Sequence, residues 1–285
     1  MTLQRLDHLY AMLMPIDLLR VVDIGANPMN SIAPYRDLLD RGMCCLTGFE
    51  PQQDTLVTLN AQKGPNETYI AAAVGDGTSH CLHLYHGSGL VSLFKLRAKT
   101  VGHLRGLRRA ARNTGTIDIK TQRLDDLPQL GRIDFLKIDI QGAELMVFEN
   151  ALRSLESVIA IQTEVNFYPL YDAAPSFGDI DVFLRQHGFV PHSYMHIEKR
   201  IIQSRFSGEL TKEDATQMLD GDILYLRDLS GIADWHSDEI KRMALLADGV
   251  YDYADIVLRC IDVLQSRGLL QQDQIDTYLA LRDTL

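Results

Sequence analysis

Four acidic residues lie at or near the ends of apolar runs, and they are the part of this sequence best suited to chemistry. They are Asp23, Glu50, Asp139 and Glu164. The carboxyl ends of neighbouring parallel strands meet at one edge of a sheet, so we expect these carboxylates to share a crevice. A carboxylate in that place can hold the hydroxyls of a ribose, and another can remove a proton from a substrate.

The first of these runs ends in a tight turn. The turn Gly25-Ala26-Asn27 comes shortly after Asp23. Gly25 and Ala26 have little or no side chain, so a ligand can approach the backbone there. A dinucleotide fingerprint needs three spaced glycines, but Met29 stands where a second glycine would be wanted. One glycine with acidic neighbours suits a cationic ligand without a phosphate, such as S-adenosylmethionine. The alternative is an ordinary turn, since every βαβ unit has a small residue here.

A second informative stretch runs from Arg132 to Glu149 and reads as a buried strand, a turn and a helix. Lys137 and Asp139 share one face of the strand by parity, and Glu144 lies just beyond the turn. Charges in so apolar a strand are costly unless they are paired. The structural alternative to a functional site is therefore an ion pair of Lys137 with Asp139 or Glu144.

Other candidates follow further strands. Asp76 lies in a Gly-Asp-Gly turn after an apolar run, where it faces the ligand crevice or simply makes a hairpin turn. An aromatic loop after Glu164 carries Tyr168 and Tyr171, and a later strand ends at His196. We predict that these last three residues lie on the substrate side of the site.

Residues 78–122 break the alternation of strands and helices and carry a basic run. In a chain of net charge −10 this local excess is notable, and the run contains no acidic residue. The run is either a solvated face or a lid whose cations meet an anionic substrate. We predict no metal site at the three histidines that precede it, because a spacing of three in a strand places the middle one on the opposite face. The cations are Lys95, Arg97, Lys99, Arg105, Arg108, Arg109 and Arg112.

The elements that must position these residues indicate a doubly wound α/β sheet of seven strands. We expect an N-terminal helix over 1–19, the main domain over 20–230 with the basic insertion at about 78–122, and a helical segment over 231–285. Asn27 or Ser31 is the predicted cap of the first crossover helix, which carries Ile32 on its apolar face. The predicted strands are 21–24, 44–49, 69–74, 133–140, 158–165, 189–196 and 222–227.

The composition is that of a soluble globular protein: 46% of the 285 residues are hydrophobic and 23% are charged. The net charge of −10 argues against a general nucleic-acid binder. The four cysteines form no CxxC pair, so we interpret them as reduced core thiols. Charges interrupt the N-terminal apolar residues, and no long apolar stretch follows. We therefore expect a cytoplasmic protein without a signal peptide or transmembrane helix.

Together these stretches resemble the FkbM family of S-adenosylmethionine-dependent methyltransferases, from about Val21 to Asp228. The resemblance rests on VVDIGAN, GFEP, AAAVGDG, SGLVSL, RLDDL, IDFLKIDIQGAELMVFENAL, TEVNFYPLY, LRQHGF and DGDILYLRD. It implies the class I, Rossmann-like methyltransferase fold. It departs at Met29, where the family has glycine, and it does not cover the C-terminal helices.

The resemblance also implies roles for individual residues. Asp23, Gly25 and Asn27 would line the methionine moiety of the cofactor, and Glu50 would hold both ribose hydroxyls. Ala26 and Pro51 would belong to the same cofactor-binding turns, Val74 and Asp76 would flank the adenine, and Asp139 would lie beside the sulfonium. Family members methylate hydroxyl groups of sugars, glycolipids or polyketides, so O-methyl transfer is the expected reaction.

Methyl transfer to a hydroxyl requires that its proton be removed. Asp139 and Glu164 end neighbouring predicted strands and are the candidate general bases. Alternatively they share a Mg²⁺, since hard cations take carboxylate oxygens. Lys137 would orient Asp139 or neutralise an acceptor oxyanion.

Two other functions stay open. A nicotinamide-dependent oxidoreductase uses a similar sheet, although the three-glycine turn and a Tyr-x-x-x-Lys relay are missing here. A degenerate methyltransferase-fold protein would bind a partner through its C-terminal helices, and Met29 motivates that alternative. The acceptor and a homo-oligomeric state are left open.

Overall fold

The computed structural model describes residues 3–27 and 32–283. Seven strands form one sheet in the order β3-β2-β1-β7-β8-β10-β9. The first five of these run parallel, and β10 pairs antiparallel with both β8 and β9. A second sheet has the order β4-β6-β5. The strands are β1 Leu19–Ile24, β2 Cys44–Phe49, β3 Glu67–Ile70, β4 Ala73–Val74, β5 Ser79–Tyr85, β6 Asn113–Gln122, β7 Phe135–Ile138, β8 Ala160–Asn166, β9 Phe189–Arg200 and β10 Gln217–Arg227.

The α-helices flank the seven-stranded sheet or belong to the insertion. None of those in the described residues combines the length and apolar character needed to cross a membrane. They are α1 Leu3–Leu13, α2 Arg36–Asp40, α3 Gln53–Gln62, α4 Ala98–His103, α5 Leu107–Ala110, α6 Glu144–Glu149, α7 Leu152–Leu155, α8 Phe177–Gln186, α9 Ser237–Leu246, α10 Ala254–Ser266 and α11 Gln272–Asp283.

Both faces of the large sheet are buried, as the continuous apolar runs require. Val21, Phe135 and Ala160 pack into one hydrophobic cluster together with α1, α2, α9 and α10. Their chain neighbours, among them Val22 and Leu136, pack into a second cluster on the other face. Adjacent residues therefore alternate between the two layers, which is the period of two that strands impose.

The face that carries Val21 and Phe135 changes from apolar to polar at the carboxyl ends of its strands. Asp23 lies two residues after Val21. Lys137 and Asp139 lie two and four residues after Phe135. On β8 the same step leads from Ala160 to Gln162 and Glu164. The period of two thus gathers the charged residues on one face, at one edge. That edge is where doubly wound sheets bind ligands.

Two sequence predictions about elements need correction. The predicted strand 69–74 is divided, because the Ala72 amide donates to Ile70 O at 2.9 Å in a tight turn and the chain then leaves for the second sheet. The first crossover helix begins only at Arg36, with Tyr35 at its N-cap, so Asn27 does not cap it. Ile32 is exposed rather than on an apolar helix face. Ser31, the other predicted cap, lies outside the described residues.

The insertion folds as a hairpin of β5 and β6 with α4 and α5 between them. It packs on the loop after β8 through a small apolar cluster that includes Tyr85, Leu104 and Tyr171. Backbone bridges join Leu96 to Tyr171 and Leu104 to Ile202. The insertion therefore covers the carboxyl edge of the sheet.

The C-terminal segment packs on α1. Arg5 Nε lies 3.0 Å from Asp248 and its Nη2 lies 2.6 Å from Asp252, while Tyr278 donates to Asp248 at 2.7 Å. This buried network ties α11 and the turn after α9 to the first helix. Among the cysteines, Cys44 and Cys260 are buried thiols as predicted, but Cys81 is exposed and is not a core residue.

Candidate functional site

A cleft with an empty volume of about 810 Å³ lies over the carboxyl ends of β1, β2 and β7. The turn at Ser88–Leu90 of the insertion forms the opposite wall. Six of the residues predicted as cofactor-binding line it: Gly25, Asn27, Glu50, Pro51, Val74 and Asp139.

Gly25 is required by the geometry of the first turn. Its φ is +84°, and a Cβ there would lie 2.1 Å from the carbonyl oxygen of Asp139. The amides of Gly25 and Ala26 both donate to Phe49 O, at 3.0 and 3.1 Å. The glycine therefore lets the ends of β1, β2 and β7 converge on one point. Ala26 is buried behind this turn.

Glu50 lies at the tip of β2 and is only 3% exposed. The Gln52 amide donates to its Oε1 at 2.6 Å. Burial raises the pKa of Glu50, and the Gln52 hydrogen bond opposes that shift. A carboxylate that lines a cleft at a strand tip is suited to accept hydrogen bonds from a ligand.

Asp76 does not line the cleft. It accepts hydrogen bonds from the Thr78 amide and hydroxyl, from His80 at 2.8 Å and from the Thr121 hydroxyl at 3.1 Å. Burial acts to raise the pKa of Asp76, but these hydrogen bonds outweigh it and lower the pKa. The structure thus gives Asp76 the position of a hairpin-turn residue, which was the alternative interpretation.

Asp23 and Lys137 face each other on neighbouring strands. They are direct cross-strand partners in the β1–β7 register, and Lys137 Nζ lies 3.2 Å from Asp23 Oδ1. Tyr35 donates to the other carboxylate oxygen at 2.5 Å. Burial acts to lower the pKa of Lys137, but Asp23 and then Asp139 outweigh it and raise the pKa. The structural alternative, an ion pair of Lys137 with Asp139 or Glu144, is corrected in its partner, because Lys137 pairs with Asp23.

Two carboxyl groups meet through an amide at the cleft wall. Gln141 Nε2 donates to Asp139 Oδ1 at 2.9 Å and to Glu164 Oε2 at 2.5 Å. Burial and the nearby Asp139 raise the pKa of Glu164 well above its ordinary value. Two carboxyl groups held this close cannot both ionise without a large cost, so the raised pKa favours the protonated form of Glu164.

Gln141 is the central residue that the sequence did not reveal. Its φ is +60°, which aims its side chain back toward the strand ends. Its Oε1 accepts from Tyr171 at 2.9 Å, and its carbonyl accepts from Ser92 of the insertion at 2.6 Å. One amide therefore joins both carboxyl groups, the aromatic loop and the insertion.

Glu144 supports this loop from behind. It is fully buried and accepts from the Ile140 amide at 2.9 Å and from the Gly142 amide at 2.9 Å. Burial raises the pKa of Glu144 to about 7. Its place is structural, because it fixes the turn that carries Asp139 and Gln141.

The three predicted substrate residues lie in different places. Tyr171 is buried and touches Gln141, and burial and then Glu164 raise its pKa well above the ordinary value. Tyr168 stacks on His103 of the insertion at a ring distance of 6.0 Å. The His196 side chain is 64% exposed and lies 3.7 Å from Glu198. The structure brings only Tyr171 to the carboxyl pair.

Two further carboxyl groups extend the site along β10. Asp222 lies opposite Glu164 and Asp220 opposite Asn166. Burial, followed by Glu198, raises the pKa of Asp220 to about 6, and burial raises that of Asp222. Their alternation just before the apolar run of β10 was the sequence signal that could have found them.

A metal ion gains no support from the side chains. In residues 3–27 and 32–283, no group of three or more His, Cys, Asp or Glu side chains is arranged to hold one. The Pro28-Met29 departure lies outside the described residues.

Several solved structures resemble this fold weakly. Magnesium protoporphyrin IX methyltransferase from Synechocystis PCC 6803, solved with bound S-adenosylmethionine, is 12% identical over 79% of this chain and 79% of that chain, with a TM-score of 0.36. An S-adenosylmethionine-dependent methyltransferase from Mesorhizobium loti is 13% identical over 78% and 96%, with a TM-score of 0.37. A precorrin-6y C5,15-methyltransferase from Geobacter metallireducens GS-15 is 13% identical over 78% and 86%, with a TM-score of 0.35. We take no residue role from these likenesses.

The sequence itself matches one family description over more than half of its length. No protein with a curated description matches it significantly. The family model of the methyltransferase FkbM domain, however, matches residues 23–191, which include β1, the insertion, β7 and β8. The doubly wound α/β sheet of seven strands predicted from the sequence is confirmed. This chain therefore belongs to the FkbM methyltransferase family.

Proposed function

We propose that this protein transfers a methyl group from S-adenosylmethionine to a hydroxyl of a small acceptor such as a sugar, a glycolipid or a polyketide-like molecule. The observation that carries the proposal is the Asp139–Gln141–Glu164 cluster at the wall of the cleft. It offers two carboxyl groups, held in place by one amide, beside the position where a cofactor would bind.

The residues of the cleft fit this cofactor. Glu50 would accept hydrogen bonds from the two ribose hydroxyls, because it lines the cleft at the tip of β2. Gly25 would admit the ligand close to the backbone, and Val74 would pack on the adenine. Lys137 pairs with Asp23, and Asp139 at the cleft wall would lie beside the sulfonium.

The acceptor proton must go to a group of this chain. When bound, S-adenosylmethionine would supply an activated methyl group, whose bond to sulfur breaks as its bond to the acceptor oxygen forms. Asp139 lines the cleft and would take the hydroxyl proton. Gln141 fixes the orientation of Asp139, and protonated Glu164 avoids a second negative charge behind it. Asp139 is thus the proposed catalytic residue, and Gln141 and Glu164 are positioning residues.

Binding is the first test. Calorimetric titration with S-adenosylhomocysteine should show saturable binding, and titration with NAD should show none. Glu50→Gln should weaken that binding by about tenfold or more, because it removes the charge that accepts from the ribose. Glu149→Gln is the matched control, since Glu149 is exposed at the far end of α6. Binding of NAD alone would favour the oxidoreductase alternative.

Turnover is the second test. Isotopically labelled methyl groups from S-adenosylmethionine should appear in sugar or lipid acceptors, in a form that resists alkaline hydrolysis as an ether does. Labelled esters would place the reaction on carboxyl groups and contradict O-methylation of hydroxyls. Binding without transfer to any acceptor, together with a stable partner complex, would favour the degenerate-scaffold alternative.

We also propose the extent of the functional unit. β9 and β10 complete the large sheet beyond the matched residues, which supports a methyltransferase unit over 20–230. The insertion then covers about 78–122, and 231–285 is an added helical segment that packs on the N-terminal helix over 1–19.

A further inference from the structure

The cations of the insertion differ from those elsewhere in the chain. Within the described residues, none of the seven in the basic run lies within 4.0 Å of a carboxylate. Outside the run, most of the arginines, including the buried Arg5 and Arg242, have such a partner. The insertion therefore presents positive charge that the chain does not neutralise.

Part of this charge borders a second cleft, with an empty volume of about 1240 Å³. It lies where the insertion meets the end of β9 and the connection that follows. Four cations and two carboxylates line it: Arg105, Lys199, Arg200, Lys212, Glu198 and Glu213. Its lining is thus net positive in a protein of net charge −10. We call it the basic cleft.

The cations of the basic cleft have donors to spare. Arg200 Nη2 lies 3.0 Å from Glu198, so these two charges cancel, and Arg200 Nε has no partner in the described chain. Arg105 donates to the carbonyls of Ser207 and Leu210, neither of which neutralises its charge. Lys199 and Lys212 are exposed and, among the described residues, have no carboxylate within 4.0 Å.

The basic cleft and the catalytic cluster lie at two places along β10. Gln217 pairs with Arg200, and five positions further along the strand Asp222 pairs with Glu164. At about 3.3 Å per residue, the two ends are about 16 Å apart. The cleft's Glu198 and Arg200 also act on the pKa of Asp220, which lies between them and Glu164. An acceptor that fills both sites would need a hydroxyl and an anionic group separated by about that distance.

We propose that the basic cleft binds a phosphate or diphosphate group of the acceptor while its hydroxyl lies at Asp139. The position of the acceptor hydroxyl at Asp139 rests on the proposed methyl transfer. The anion site rests only on the charges that line the basic cleft. Lysine ammonium groups and arginine guanidinium groups are the usual ligands of phosphate oxygens.

Direct binding tests the anion site without turnover. Inorganic pyrophosphate, titrated calorimetrically into the full-length protein at low salt, should bind, and added salt should weaken it. The double variant Lys199→Gln/Lys212→Gln should lose about 10- to 100-fold in affinity. Both lysines are exposed, so the fold should persist, and S-adenosylhomocysteine binding should be unchanged. Lys63→Gln, at an exposed site after α3, is the matched control.

The outcomes separate this inference from the proposed function. Pyrophosphate binding that the double variant loses and Lys63→Gln keeps supports the site, whether or not methyl transfer is found. Lack of pyrophosphate binding, or equal loss in Lys63→Gln, overturns it. Where methyl transfer is measured, the double variant should raise KM for a phosphorylated sugar and leave KM for its dephosphorylated form unchanged. An equal KM for both forms in the wild-type protein would also overturn it.

Discussion

Charged side chains at the sheet edge have partners within the protein, whereas the cations of the insertion have no carboxylate partner among the described residues. At the edge, Lys137 is paired with Asp23, Glu144 accepts from backbone amides, and Gln141 joins two carboxyl groups. In the insertion, the basic run has no carboxylate partner among the described residues. Buried charges must be satisfied before a ligand arrives, whereas exposed cations can stay solvated at little cost. The first arrangement suits preorganised chemistry, and the second suits recognition of a charged ligand.

The largest expected effect is on kcat, and it distinguishes Asp139 from Glu164. Asp139→Asn should lower kcat by about 10²- to 10⁴-fold, because the proton acceptor is lost. Glu164→Gln keeps a neutral group of the same shape beside Gln141 and should lower kcat by less than about tenfold. Initial rates at saturating cofactor measure kcat for both variants. Calorimetry checks that both still bind S-adenosylhomocysteine. The reverse order would make Glu164 the base.

Breaking the ion pair at the edge should be the largest effect on stability. Lys137→Met leaves the carboxylate of Asp23 buried with Tyr35 as its remaining partner. Removing one member of a buried pair costs about 3–5 kcal/mol, and the partial exposure of Lys137 places this variant near the lower value. Chemical denaturation of the two proteins measures the difference. A loss below about 1 kcal/mol would show that the pair adds nothing to folding.

The partner of Lys137 shows where sequence reasoning stops. Parity along one strand places Lys137 on the face of Asp139, and that much is readable from the order of residues. Its actual partner is 114 residues away and is set by the β1–β7 register. Strand order and register depend on how the whole sheet packs. The strand ends and most elements were therefore predictable from local patterns, but this contact was not.

Gln141 marks the same limit inside the site. Its neighbours Asp139 and Gly142 are part of a readable motif, but its role depends on a left-handed backbone angle and on three other segments. The acidic residues at strand tips were predictable because apolar runs end there. The amide that joins them was not, because a glutamine in a turn has no periodicity that singles it out.

Glu144 gives a prediction for pH. Its folded-state pKa of about 7 lies above the ordinary 4.5, so the folded protein holds this proton more tightly than the unfolded chain. The stabilisation is present below about pH 4.5 and is lost as the pH rises through 7. The wild type and Glu144→Gln should therefore differ in how their unfolding free energies depend on pH. The wild-type value minus the variant value should fall by roughly 3 kcal/mol between about pH 4 and pH 8. Denaturation curves at both ends measure it, and a difference that does not change with pH would place the raised pKa elsewhere.

The smallest expected effect belongs to the insertion and completes the comparison. Arg108 and Arg109 are exposed and have no ion-pair partner among the described residues, so Arg108→Gln and Arg109→Gln should each change stability by less than about 0.5 kcal/mol. The favourable position of both in the last turn of α5 adds at most a few tenths. Thermal unfolding beside Lys137→Met compares the two regions in one experiment. A loss above about 1 kcal/mol in either arginine variant would mean that the insertion, like the sheet edge, depends on its charges to fold, and its cations would then not be free for a ligand.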